Sequence, residues 1–367
     1  MEWTADRIRA ARVRSLLLDD AEARSPLEIA QWHGAMQAQD AASGHWSLGV
    51  RSRGLRESDV LASFERGDIV RTWPMRGTIH IVPGEDVTWL LDLTSARSIS
   101  ASARRRGELG LADAMVNKAA AVLADAVAGR RCITRAEAFA VLDDAGLEVS
   151  AQRGYHMLWY ASQVGAICIG PQRGTDQTFV SIGDWAPPQI RRSREDALAT
   201  LLFRFVRSHG PVPLRDFAGW TGLTLGDARA AARANDGRIR ALPSEHGEMF
   251  ATHELMESML ASPPPAHAVL TLPGYDEFML GYKERSLQVP PGAMEQIVPG
   301  NNGIFRATVI AKGQVIGTWA RSMRADRVLV DLTMLRSLNG RERTQLTAAL
   351  ERYAAFVERR LVVKSAE

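Results

Sequence analysis

The chain has 367 residues, 46% hydrophobic and 24% charged, an ordinary globular composition with length for two to four domains and ample core. A formal net charge of +3 and a pI near 9.1 are too mild to establish a nucleic-acid partner, but they suit one where arginine is clustered. The N-terminus lacks a positive-then-apolar signal pattern and no run of 18 apolar residues occurs, which excludes a membrane-spanning helix and leads us to expect a soluble, cytoplasmic protein.

In chain order, Val13–Leu18 reads as a helix, and Ser25 with Glu28 forms a capping box with Pro26 at the first helical position, so a second helix starts there. Gly34 weakens that helix before Gln37-Ala-Gln39. Helical residues two apart point about 200° apart, whereas extended ones share a face. The two glutamines therefore work on one atom only if the helix ends near Met36. A helix at 58–64 and short strands at Ile69–Trp73 and Thr78–Val82 follow, with Pro74 and Gly77 marking the bend.

The same order recurs in two further copies. The second has Ala119–Val127, a capping box at Thr134 and Glu137 opening a helix to Ala145, Gln152–Gln163, then strands at Ala166–Ile169 and Thr178–Ile182. The third has Leu198–Val206, Pro213–Trp220, Thr224–Ala234, then strands at Arg238–Leu242 and Glu248–Thr252. Helix, helix, helix, β-hairpin is the winged-helix order, a helix-turn-helix variant whose last helix enters the major groove. After a proline-rich break at 262–266, strands dominate 267–333, and Arg341–Leu361 reads as a closing amphipathic helix. The expected architecture is α+β. It has winged helices at 1–85, 115–188 and 194–260, a helical connector at 86–114, a β-rich domain at 267–335 and a C-terminal helix at 336–367.

Met36-Gln-Ala-Gln-Asp40, Arg71–Val82, Leu272–Phe278 and Gly300–Arg306 together resemble the winged-helix DNA-binding-domain family that includes the AlkZ-type DNA glycosylases. The resemblance runs over essentially the whole chain. It implies three winged helices and a small β-domain forming a C-shaped DNA channel, with a Gln-x-Gln catalytic motif at Gln37 and Gln39. It also implies removal of alkylated purines and unhooking of crosslinks, as antibiotic self-resistance or base-excision repair. The alternative is a non-enzymatic winged-helix DNA-binding protein or transcriptional regulator, which should dimerise on paired half-sites. A glycosylase is expected to work as a monomer on double-stranded DNA.

Two amides suit one class of N-glycosidic hydrolysis. Normal purines are poor leaving groups and need a strong acid or base, but a purine alkylated at N7 or N3 already carries positive charge. Proximity and orientation, worth as much as ~7–11 kcal/mol, then do most of the work. Asp40 beside the motif reads as a cap for the next turn in preference to an acceptor supporting the glutamines, and Asp276-Glu277 after Pro273-Gly274 reads as a turn or helix cap in preference to a catalytic carboxylate pair. The DNA-contacting residues expected are Arg71, Arg76, His80, Arg153, His156 and Lys312. His80 alternates with Ile79 and Ile81 and so faces away from the apolar side of the first wing, toward DNA or in a hydrogen-bonded structural role, and Lys312 lies on a hairpin that resembles a probing hairpin of the family or is an ordinary exposed turn. Histidine and cysteine spacings offer no metal site, and no glycine-rich phosphate loop occurs. We expect no cofactor.

Overall fold

Helix caps fix most of the starts. Ser25, Thr134, Thr224 and Asn339 each accept from the backbone three residues on, and Glu28, Glu137, Asp227 and Glu342 return the bond. These pairs satisfy donors that a helix N-terminus leaves orphaned. The computed structural model describes residues 2–19, 22–261 and 269–364, and its fold is α+β.

The first unit runs α1 (Ala5–Ser15), α2 (Pro26–His33), β1 (Met36–Gln37), α3 (Ala41–Gly49), α4 (Glu57–Arg66), β2 (Ile69–Thr72) and β3 (His80–Pro83). Helices α5 (Val87–Ala101) and α6 (Ala103–Glu108) lead to the second. It comprises α7 (Asp113–Val127), β4 (Ile133–Thr134), α8 (Arg135–Asp144), α9 (Arg153–Gln163), β5 (Cys168–Ile169), β6 (Thr178–Val180) and α10 (Ile182–Trp185). The third has α11 (Arg194–His209), α12 (Leu214–Thr221), α13 (Leu225–Ala234), β7 (Ile239–Leu242), β8 (Met249–Thr252) and α14 (His253–Ala261). The last region holds β9 (Val269–Leu272), α15 (Glu277–Leu280), α16 (Met294–Ile297), β10 (Ala307–Ala311), β11 (Gln314–Met323), β12 (Arg327–Met334), α17 (Gly340–Phe356) and β13 (Arg360–Val363).

Two features differ from the sequence reading. The first and second hairpins are not separate. They join in one six-stranded sheet, β1-β3-β2-β5-β6-β4, through the antiparallel pair Arg71 and Ile169. The closing helix ends at Phe356, where Val357 caps it and Glu358 turns left-handed (φ 52°). Leu361 then lies in β13, which adds parallel to β12 in the sheet β13-β12-β11-β10-β9. The β-branched pair Val362-Val363 favours that strand. The proline-rich break expected at 262–266 lies outside the described residues.

One apolar core runs from the first unit through the third and into the β-domain, while the second unit carries its own around Val116, Leu123, Met157, Leu158 and Phe179. Trp46 and Trp319 flank Tyr353 edge-on at 5.0 and 4.9 Å, and their indoles donate to the carbonyls of Thr271 and Leu272. Alongside, Arg51 binds Asp276 through Nη1–Oδ2 (2.8 Å) and Nη2–Oδ1 (2.9 Å), both side chains fully buried. Removing one partner of such a pair strands a charge in the interior, at a cost of ~3–5 kcal/mol. Asp276→Ala should therefore lower the urea midpoint sharply, and replacing both residues with apolar side chains should recover much of the loss.

Candidate active site

The glutamine pair stands where a helix has been stopped. Gly34 caps α2 at φ 82°, a backbone conformation that other residues resist, and its N–H closes on Ala30 O. The chain then runs extended as β1, an edge strand whose Met36 pairs with Ile81 and Gln37 with His80. Ala38 N donates to Ile79 O at 2.9 Å, but side chains replace the return bond. Arg71 Nη2 donates to Ala38 O (3.2 Å), and Ile79 N donates to Gln39 Oε1 (3.3 Å). The ladder ends there, leaving Gln37 half-buried and Gln39 exposed. An N–H can bond only the carbonyl end of the Gln39 amide, so the Gln39 NH2 faces away. Helix α3 lies close beneath: a Cβ at Gly44 would sit 2.7 Å from that of Ala38.

Carboxylates near the motif are committed elsewhere. Asp40 caps α3 by accepting from Ser43 N (3.0 Å) and meets Arg321 Nη2 at 3.2 Å. Glu277, 1% exposed, accepts from Gln37 N (2.8 Å), Trp220 Nε1 (2.9 Å) and His209 Nε2 (3.2 Å). Burial pushes this carboxyl upward, but the bonds from His209 and Gln37 and the charge of His209 outweigh it and hold the group at about 2.

A cleft of about 490 Å³ opens where the three units meet, lined by Arg76, Arg97, Ser98, Ser102, Trp159 and Gly222 among others. Arg76 and Arg97 are exposed there, and neither makes an ion pair among the described residues. The Trp159 indole donates to Gly77 O (3.3 Å), tying α9 to the β2–β3 turn.

Comparison with known proteins gives these features a family. A family model, DNA glycosylase AlkZ-like, matches residues 30–356. The chain belongs to the AlkZ-like DNA glycosylase family. An interstrand DNA cross-link repair glycosylase of Streptomyces sahachiroi is 22% identical over 317 residues, covering 77% of this chain and 79% of that protein. The solved structure of the Streptomyces sahachiroi DNA glycosylase AlkZ superposes with a TM-score of 0.80 at 18% identity, over 99% of this chain and 100% of that one. This glycosylase thus acts on N-glycosyl bonds of DNA, and among its described residues no helix is long and apolar enough to cross a membrane.

Several expected DNA contacts are placed differently in the glycosylase. Arg71 is 7% exposed, and burial lowers it to about 10 against the pull of Asp40. It remains a cation that holds Ala38 rather than a surface phosphate ligand. His80 is fully buried: it does face away from Ile79 and Ile81, but that side is covered too. Lys312 is exposed, yet its turn packs on α1, where a Cβ at Gly313 would lie 3.0 Å from that of Arg9. The end of β11 that reaches Asp40 is that of Arg321, roughly 30 Å along the chain from Lys312 at ~3.3 Å per residue. Arg153 is tied to the carbonyls of Glu148 and Leu109. Partly buried His156 lies 5.1 Å from Trp159 and is lowered by burial and by Arg106 and Arg105. Arg76 stays at the surface.

Sequence reasoning passed over Glu277, His209 and Trp220. It took Asp276-Glu277 for a turn or cap; Asp276 does cap α15, accepting from Phe278 N, but both carboxylates also reach partners far away in the chain. The one available signal was a pair of acids within an otherwise apolar segment.

The buried rings predict acid sensitivity. Burial lowers His80 to about 4, with Arg76 adding and Glu277 and the Thr78 carbonyl opposing, and burial lowers His33 well below 6.5. The unfolded chain then binds protons first, so stability present above about pH 6.5 is lost as pH falls toward about 4. Glu277, held low, contributes above 4.5 and loses its contribution only as pH drops toward 2. Urea midpoints should fall between about pH 7.5 and about pH 5, and His80→Gln should flatten that slope; an unchanged slope would show that His80 does not fold as a neutral ring.

Proposed function

We propose that this glycosylase hydrolyses the N-glycosidic bond of cationic purines alkylated at N7 or N3 in double-stranded DNA. On this reading it acts as a monomer and also unhooks interstrand crosslinks or bulky adducts made by the same alkylation chemistry. Its setting is then antibiotic self-resistance or base-excision repair. One observation carries the reading: the motif itself presents amides, and the carboxylates nearest it are held by other partners. Asp40 is engaged through Oδ2 by a helix N-terminus and Arg321, and Glu277 is buried. A site whose two motif residues are amides forgoes general-base strength of roughly 10²–10⁴ and suits a leaving group that brings its own positive charge. The Gln37 carbonyl holds the water that attacks C1′, and the outward Gln39 NH2 donates to a neighbouring oxygen.

The DNA path we infer follows the cleft of Arg76 and Arg97. The three helix–hairpin units act as tandem winged helices around a C-shaped channel, open enough for adducts too bulky to flip into a closed pocket. The name of the Streptomyces sahachiroi relative, a cross-link repair glycosylase, supports the same substrate class.

Incubation with an N7-alkylguanine duplex, followed by mild alkali to cut abasic sites, tests the chemistry. Gln37→Ala and Gln39→Ala should bind DNA normally and excise about 30- to 1,000-fold more slowly, the ~2–4 kcal/mol typical of one lost positioned hydrogen bond. Undamaged guanine should stay intact, and excision should be nearly flat from about pH 6 to about pH 8 because no catalytic base titrates. Wild-type rates in both variants would sink the motif's role, and efficient excision of neutral uracil would sink the leaving-group argument. DNA affinity should also fall with salt, and Arg76→Ala or Arg97→Ala should each reduce that slope by about 0.9.

A further inference from the structure

We propose that His80 is a positioning residue for Gln37: its Nε2 accepts a hydrogen bond from the Gln37 side-chain amide and so turns the Gln37 carbonyl toward the attacking water. The inference rests on the reading that Gln37 acts in excision. Register supplies the first reason. Gln37 and His80 are cross-strand partners, and the bond from Ala38 N to Ile79 O belongs to the neighbouring pair. Gln37 and His80 are therefore a non-hydrogen-bonded pair, the kind whose Cα atoms approach to ~4.5 Å and whose side chains lie closest on one face.

The second reason is the state of the ring. His80 Nδ1 lies 2.9 Å from the Thr78 carbonyl, and a carbonyl only accepts, so Nδ1 carries the proton. In the neutral ring Nε2 is then a bare lone pair. That atom is fully buried and has no protein partner among the described residues, a costly condition that a nearby donor relieves. The Gln37 backbone is pinned by Glu277 (2.8 Å), which fixes the point from which its side chain leaves the strand. With NH2 toward His80, Gln37 offers an acceptor, while Gln39, its carbonyl held by Ile79 N, offers a donor. A water between them meets one group of each kind.

Two substitutions separate the ring's two nitrogens. His80→Asn keeps a donor at the Nδ1 position for Thr78 and lacks an acceptor where Nε2 was; His80→Gln places an amide oxygen near Nε2 and gives up the Thr78 bond. Under single turnover on an N7-alkylguanine duplex, His80→Asn should slow excision about 10- to 100-fold with unchanged DNA affinity and Tm, and His80→Gln should stay within about threefold of wild type. The Gln37→Ala/His80→Asn double variant should be no slower than Gln37→Ala, because one acts through the other. Additive losses, or equal losses in Asn and Gln variants, would overturn the proposal in favour of a structural ring. Wild-type protein gives an independent reading: ¹⁵N spectra at neutral pH should show the His80 proton on Nδ1, and a proton on Nε2 would also overturn it. If Gln37→Ala itself excises at the wild-type rate, the proposed function fails instead, whatever the His80 variants do.

Discussion

A carboxylate sealed in an apolar interior must collect enough donors to replace water, and Glu277 does so from three separate parts of the chain. Gln37 N comes from edge strand β1, His209 from the end of α11 and Trp220 from α12, while Glu277 itself opens α15. Its neighbour Asp276 turns to Arg51 at the end of α3. Two consecutive acids thus fasten the segment after β9 to both the first and third units. An unpaired charge at either position would cost ~3–5 kcal/mol, so packings of these units that break the contacts are disfavoured. The position of Gln37 follows from that packing, because its backbone N–H is one of the bonds being satisfied.

Local signals were legible and long-range ones were not. Capping boxes at Ser25, Thr134, Thr224 and Asn339 are written within four residues, so the sequence reveals such helix starts directly. Gly34 marked the stop that frees the glutamines for the same reason. By contrast, β1, β4 and β5 have two residues each, too few for any alternation to register, and the bridge between Arg71 and Ile169 depends on how two units dock. The alternation around His80 gave its direction but left its exposure open: the side away from Ile79 and Ile81 is buried as well, and the charges of Arg76 and Glu277 act on the ring there. The bonds of Glu277 to Gln37, His209 and Trp220 span stretches of chain that no sequence window covers.

For the proposed reaction, a motif without a titrating base changes what the protein has to control. A carboxylate or imidazole base is tuned through its pKa, by burial and neighbouring charge. A side-chain amide has no pKa near neutrality to tune, and its two ends differ little in size, so a free glutamine presents oxygen or nitrogen almost indifferently. For the proposed reaction the two ends are not equivalent: the oxygen accepts a hydrogen bond from a water, whereas the NH2 donates to the water's lone pairs. Orientation is then the only catalytic variable left, and it has to be imposed by partners that cannot themselves turn round. Backbone N–H groups are such partners, which is what Ile79 N is to Gln39. Buried charges with a single role are another kind, and Glu277 and Arg71 fix the strand on both sides of Ala38. Burying an arginine and a glutamate beside two neutral side chains makes little sense as stabilisation, since apolar residues of similar size serve that purpose as well or better. It makes sense as the means of holding the backbone from which the amides project, because a site that works by geometry loses rate with every degree of freedom its scaffold retains.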